Sequence, residues 1–332
     1  MKIGFDSFNK YSVKMSLNPM KKVAFKGLES FDVFEKKEPV HINHLSEKFD
    51  KPIKIVFSDI DGTMIDEKIP YLHGRVYKSI LDLKEKNIPL ILSTGRSIDE
   101  IFSFTEKMPY TPDYLILEQG AYITDRFGRP LYKDPMSKED AYSVLDFYKE
   151  YSKENPSAQL LTYVNGLMYY LNSAEVDEDT LDSKFLRLLY SQFEKGNLPT
   201  KYLLFFPRSL GYDGMDIVKE KAKKKVNSDN VSMLVTGPHY LEFMNKSSSK
   251  GNAAKIIAEK LGFNLENAVG IGDGENDIEV VSKIQDAGGV GIAMGNAQKC
   301  LKAKADFVTD DVISRGFATA MENVLEHNRQ FE

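Results

Sequence analysis

Short apolar runs recur along the chain from about residue 54, and their lengths and spacing predict two different kinds of sheet. Ile55-Val56-Phe57, Leu90-Ile91-Leu92 and Tyr114-Leu115-Ile116-Leu117 are too short for helices and show no polar alternation, so each reads as a strand buried on both faces. Between them Val76, Ile80 and Leu83 fall at helical spacing within 73–87, and a second helix is expected near 97–107. Strands and helices alternating at these lengths predict an α/β core with a parallel sheet covered on both faces.

After about Arg129 the rhythm changes. The runs Gln159–Val164 and Leu167–Leu171 flank Asn165-Gly166, the strongest short hairpin signal in the chain. Further apolar or aromatic runs at Tyr202–Phe206, Val231–Val235 and Tyr240–Met244 predict an antiparallel sheet with helices on one side. Alternation buries half of each such strand, so the Tyr and Phe cluster at 163–170 and 202–206 reads as core before it reads as a platform for a sugar. The parallel pattern resumes at Ala268–Gly272 and Val290–Ala293 and ends near Phe307. The expected organisation is an extension over 1–50, a core over 51–129 and 241–325, and an inserted α+β unit over 130–240. The extension carries scattered lysines and phenylalanines without a sustained period, a composition that favours a partly disordered or loosely docked segment over a partner-binding arm.

At 332 residues the chain can bury two cores, and 42% apolar with 28% charged residues describes a globular protein. A formal net charge of −5 leaves no electrostatic footprint for nucleic acid. Cys300 is the single cysteine, which excludes an intrachain disulfide and favours a reducing compartment. No apolar run approaches the ~20 residues of a membrane span, and Met1–Asp6 lacks the apolar core of a secretory signal. A cytoplasmic location without membrane or nucleic-acid partners is expected. His41, His44, His73, His239 and His327 share no metal-ligand spacing, so no zinc site is expected.

Chemistry concentrates at strand ends. Phe57-Ser58-Asp59-Ile60-Asp61-Gly62-Thr63 sets two carboxylates two residues apart where a buried strand stops, aimed out of the carboxyl edge where open α/β sheets hold their ligands. Leu92-Ser93-Thr94-Gly95-Arg96 ends a second strand in hydroxyls, a glycine and a cation. Ser247-Ser248-Ser249-Lys250-Gly251 leads into an amphipathic helix, and Gly272-Asp273-Gly274-Glu275-Asn276-Asp277 ends a third strand. Taken in order, these four segments resemble the four motifs of the haloacid dehalogenase superfamily of phosphohydrolases. The long stretch between the second and third is similar to the large cap of its Cof-type and sucrose-phosphatase-like branch, type IIB. The resemblance covers roughly residues 52 to 320.

The resemblance implies a Mg²⁺-dependent phosphatase acting on small phosphorylated metabolites such as sugar phosphates. It implies Asp59 as nucleophile through an aspartyl-phosphate, and Asp61 as general acid and base. It carries Mg²⁺ on Asp59, Asp273 and the Asp61 backbone carbonyl. It implies phosphate contacts from Thr94, Gly95, Lys250 and Asn276, and an outer role for Asp277, orienting Lys250 or a metal-bound water. From the residues alone several readings stay open: Ser93 rivals Thr94, Lys250 could be part of a helix cap only, and Asn276 could cap a helix. Arg96 reads either as a phosphate or cap contact or as a surface cation. A phosphosugar mutase of the phosphomannomutase type shares the first motif and cap. A silent binding protein would retain the fold without turnover.

Overall fold

The computed structural model describes residues 39–66, 68–69, 71–171 and 181–332, so most of the extension expected over 1–50 lies outside the described residues. Its last residues do not stand apart. Val40–His41 form an edge strand, β1, and Ile42 and Leu45, at the entry to the short helix α1 (Leu45–Lys48), are buried in the main core. Two apolar side chains in so short a stretch carry no period, which hid from the sequence that these residues enter the main core.

The expected alternation follows as β2 (Ile55–Ser58), α2 (Gly74–Glu85), β3 (Leu90–Ser93), α3 (Ile98–Thr105) and β4 (Tyr114–Leu117). The chain then turns back twice, through β5 (Tyr122–Asp125) and β6 (Pro130–Lys133). After α4 (Lys138–Glu154) come β7 (Gln159–Val164) and β8 (Leu167–Leu171), joined by Asn165-Gly166 with φ of 53° and 77°. Two positive φ values in succession make the turn whose twist matches a hairpin. There follow α5 (Leu181–Glu194), β9 (Lys201–Phe205), α6 (Gly211–Ala222), β10 (Val231–Gly237) and β11 (Tyr240–Asn245). The chain returns with α7 (Lys250–Leu261), β12 (Ala268–Gly272), α8 (Ile278–Asp286), β13 (Val290–Ala293), α9 (Lys299–Lys302), β14 (Phe307–Val308) and α10 (Gly316–Asn328).

The first sheet runs β1-β14-β13-β12-β2-β3-β4-β5-β6, parallel as far as β4 and antiparallel at β5 and β6. Side chains alternate between its two faces. Ile55 and Phe57 pack with Ala253, Ile257 and Val280 of α7 and α8, while Val56, Leu90 and Leu92 pack with α2 and α10. Register decides where chemistry can sit. Ser58 pairs with Ile271 on one side and Leu92 on the other, so β2, β3 and β12 stop level with one another. Asp59, Thr94 and Asp273, each the next residue after its strand, therefore share one edge.

The second sheet runs β10-β11-β9-β7-β8, all antiparallel. Tyr202, Leu204, Leu241 and Phe243 bury against α4, α5 and α6. The alternate residues Tyr163, Lys201, Leu203 and Glu242 face the carboxyl edge of the first sheet. The expected boundaries shift at both ends. β6 pairs with β5, which keeps 130–133 in the first sheet. β11 lies between β10 and β9, so the run at Tyr240–Met244 joins the antiparallel sheet as its pattern predicts and the boundary expected at 240 moves past it.

Candidate active site

Between the level strand ends and the helix-free face of the second sheet lies a cleft of about 620 Å³. From the first sheet it is lined by Asp59, Asp61, Thr94, Gly95, Arg96, Gln119, Asp273 and Asn276. Tyr163, Lys201, Leu203, Val235, Tyr240 and Glu242 line it from the second. A cleft of that size with convergent polar groups suits a small ligand.

The turn after β2 is tight. The Ile60 carbonyl accepts from the amides of Thr63, Met64 and Ile65, which curls the chain so that Asp59 and Asp61 both reach the cleft. Gly62 makes this possible: its φ is +79°, and a Cβ there would lie 2.3 Å from Asp273 Oδ2. Asp59 is buried, with its Oδ1 accepting from Lys250 Nζ at 2.6 Å. The same ammonium donates to Asp277 Oδ1 at 2.7 Å. Burial pushes the Asp59 carboxyl well up; Lys250 opposes this, and Asp277 and Asp273 add to it. Burial would likewise push Lys250 down, but Asp277 and Asp59 outweigh it and hold the ammonium above its ordinary range.

Asp277 is fully engaged. Its Oδ2 accepts from the amides of Asp273 and Gly274, both at 3.0 Å, so it ties Lys250 to the turn that carries Asp273. Asp273 receives Thr63 Oγ1 on Oδ1 and Asn296 Nδ2 on Oδ2, each at 3.4 Å. Carboxylate oxygens of Asp59, Asp273 and Asp277 all lie within 4.8 Å of one another. Three carboxylates against one ammonium leave an excess of negative charge at a site rich in oxygen donors. That donor set fits a hard divalent cation.

The residues expected from the sequence mostly converge, with three differences. Lys250 lies behind Asp59 and does not line the cleft. Thr94 does line it, whereas the buried Ser93 hydroxyl has no hydrogen-bond partner among the described residues. Arg96, left open between a phosphate or cap contact and a surface cation, makes a two-pronged ion pair with Asp61, at 2.8 and 2.6 Å. Its amide donates to Thr94 Oγ1 at 3.2 Å. Asn276 reaches neither a helix cap nor open cleft alone: its amide donates to Gln119 Oε1 at 3.0 Å.

Gln119 and Asn296 were not found by sequence reasoning. Glu118 and Gln119 both hold positive φ, 51° and 57°, an unusual pair for residues with side chains. Gly120 follows at φ +98°, pressed so close to α7 that a Cβ would stand 2.2 Å from the Ser249 carbonyl. The chain is thus forced through a narrow turn that lodges Gln119 between Gly95 and Asn276. Glu-Gln-Gly is the signal, since a glycine after two polar residues marks a possible left-handed turn. Asn296 has no such signal. Its role, one amide shared by the Gly62 carbonyl at 2.8 Å and Asp273, appears only in three dimensions. Tyr163, read as core, is buried and also lines the cleft.

Comparison with known proteins agrees with this geometry. A family model described as haloacid dehalogenase-like hydrolase matches residues 56–321. Phosphatase YwpJ of Bacillus subtilis (strain 168) is 26% identical over 294 residues, covering 82% of this chain and 100% of its own length. The 5-amino-6-(5-phospho-D-ribitylamino)uracil phosphatase YcsE of the same organism is 24% identical over 277 residues, 82% of this chain and 96% of its own. The solved structure of the HAD subclass IIB sugar phosphatase BT4131 superposes with a TM-score of 0.62 at 18% identity, covering 81% of this chain and 98% of that one.

Proposed function

The chain belongs to the haloacid dehalogenase-like hydrolases, as one of their phosphatases, and from that premise we propose that it hydrolyses small phosphate monoesters through a phosphoryl group carried on Asp59. The observation that carries this reading is the Asp59 carboxylate at the end of β2. It is buried at the cleft floor, with Lys250 held on one oxygen at 2.6 Å and Asp61 two residues further on.

Lys250 orients Asp59 through Oδ1, and the other oxygen attacks phosphorus as the bond to the leaving oxygen breaks. Thr94, the Gly95 turn and Asn276 hold the phosphoryl oxygens. Asp61 protonates the departing alkoxide, then removes a proton from the water that attacks the phosphorylated aspartate and releases inorganic phosphate. Asp61 is paired with Arg96 in this structure, so its proton chemistry requires the pair to part. An entering phosphate dianion offers Arg96 an equivalent two-pronged partner, which supports that exchange. Asp59, Asp273 and the Asp61 carbonyl would hold the divalent cation, Mg²⁺ by preference, whose charge offsets the repulsion between carboxylate and phosphate dianion.

Substrate choice falls to the second sheet, because the first-sheet residues address only the phosphoryl group, the cation and the leaving oxygen. Sugar phosphates and metabolites of similar size fit the cleft. Phosphate release across a panel of such esters, with Mg²⁺, with Ca²⁺ and in EDTA, tests the proposal. Release that depends on Mg²⁺ and is weaker with Ca²⁺ supports it. Full activity in chelator, or transfer between substrate positions without release, refutes it.

A further inference from the structure

Lysine is almost never fully buried unless it is paired, because stripping water from an ammonium is costly. Lys201, the first residue of β9, is only 2% exposed. Alternation puts it on the helix-free face of the second sheet with Leu203. Its counter-ion within that sheet is Glu242, whose Oε1 stands 3.4 Å away, beyond the ~2.7–2.9 Å of a strong charge-assisted bond. The shorter contact leaves the sheet: Nζ donates at 2.7 Å to the backbone carbonyl of Gly95. The Tyr163 ring lies 4.9 Å from the ammonium. Burial would push this lysine down, but Glu242, Tyr163, Glu118 and Glu100 outweigh burial and keep it a cation.

The turn it reaches is the one between Thr94 and Arg96. Three carbonyls define that turn, and their donors differ in origin. Thr94 O accepts from the Gln119 amide at 3.1 Å and Arg96 O from the Glu118 amide at 3.0 Å, both within the first sheet. The middle carbonyl, Gly95 O, accepts from Lys201 of the second sheet. Gly95 is also pressed from its own side, since a Cβ there would meet Gln119 Nε2 at 2.5 Å. The turn therefore takes its hydrogen bonds from both sheets.

Resting on the phosphatase reading of the cleft, we infer that Lys201 is a positioning residue for the phosphoryl-binding turn Thr94–Gly95–Arg96, coupling closure of the second sheet to the geometry that holds the phosphoryl group. A second bond across the same junction supplies a control. The Thr200 hydroxyl bonds the Glu118 carboxylate, and its loss leaves the donors of all three turn carbonyls in place.

The test compares wild type, Lys201→Met, Lys201→Arg and Thr200→Val as full-length proteins. Hydrogen exchange of the 94–97 amides is read alongside steady-state kinetics on p-nitrophenyl phosphate, a small ester that grips the second sheet little. Lys201→Met is expected to exchange about tenfold faster in the turn. Its kcat should fall by about ten- to a hundredfold, as for an ångström-scale misplacement, with KM changed less than about threefold. Lys201→Arg, which keeps a cationic donor, should recover most of both losses, and Thr200→Val should stay within about twofold of wild type. If Lys201→Met does not fold, Lys201→Gln carries the comparison, since its amide falls one bond short of Gly95. Unchanged exchange in the variant overturns the inference, as does a kcat within twofold of an active wild type. A loss that Thr200→Val reproduces also overturns it, by reducing Lys201 to a general tie. A wild type without turnover refutes the phosphatase reading instead, and the exchange comparison still decides Lys201.

Discussion

Replacing Lys250 with methionine should destabilise the protein far more than the loss of one hydrogen bond. The ammonium is 1% exposed and serves two buried carboxylates, Asp59 at 2.6 Å and Asp277 at 2.7 Å. Methionine preserves the length and most of the volume, so no large cavity confounds the result. What remains is two buried carboxylates that have lost the cation they shared. Breaking a buried pair from one side costs about 3–5 kcal/mol, and with two acids orphaned we expect the upper part, about 4–5 kcal/mol. That is a large share of a total stability of about 5–15 kcal/mol. At roughly 2–4 °C per kcal/mol, the range for chains of about 150–250 residues, Tm should fall by about 8–20 °C. Urea titration followed by circular dichroism, in EDTA so that no cation substitutes for the ammonium, measures it. Adding Asp277→Asn to Lys250→Met removes one of the orphaned charges and should restore about 1–3 kcal/mol, a coupling expected of contacting groups. A Lys250→Met protein within 1 kcal/mol of wild type, or strict additivity of the two changes, would show that these charges are not held as described.

Three further outcomes are expected. Asp59→Asn should lower phosphate release by roughly 10³-fold or more. It should leave Tm in chelator undiminished, because burial and the neighbouring acids already oppose the Asp59 charge; substantial residual turnover would remove Asp59 as nucleophile. Gly62→Ala needs a left-handed backbone and a Cβ 2.3 Å from Asp273 Oδ2, so the Mg²⁺ concentration for half activity should rise by about tenfold. An unaltered Mg²⁺ titration would take Asp273 out of the metal site. Glu118 is raised above the ordinary 4.5 chiefly by burial, against the pull of Thr200 and Lys201. A raised acid stabilises the fold fully below its unfolded value and loses that contribution as pH climbs through its folded value. Glu118→Gln, which keeps an acceptor for Thr200, should therefore be more stable relative to wild type at about pH 8 than at 4.5; a difference independent of pH contradicts the assignment.

The elements that the chain declares locally were legible without coordinates. β2, β3, β4 and β12 are continuous apolar runs, and the Asn165-Gly166 turn carries its own backbone requirement. Because a strand end and the residue that follows it are neighbours in sequence, Asp59, Asp61, Thr94, Asp273 and Asn276 could be placed at one edge from strand assignment alone. Such features rest on hydrophobic burial and turn sterics, which act over a few residues.

Edges and partners were another matter. β1 is two residues long and earns its place only by pairing with β14, while β6 falls on the far side of the boundary expected near 130. Arg96 meets Asp61 across 35 residues, Asn296 meets Asp273 across 23, and Lys201 meets Gly95 across 106. None of these pairs has a spacing that a helix or hairpin would enforce. Each exists because parallel register levels the ends of β2, β3 and β12, and because one face of the second sheet comes down upon them. The sequence by itself determined which side chains stand at the strand ends; the packing of two sheets decided which charges those side chains must answer.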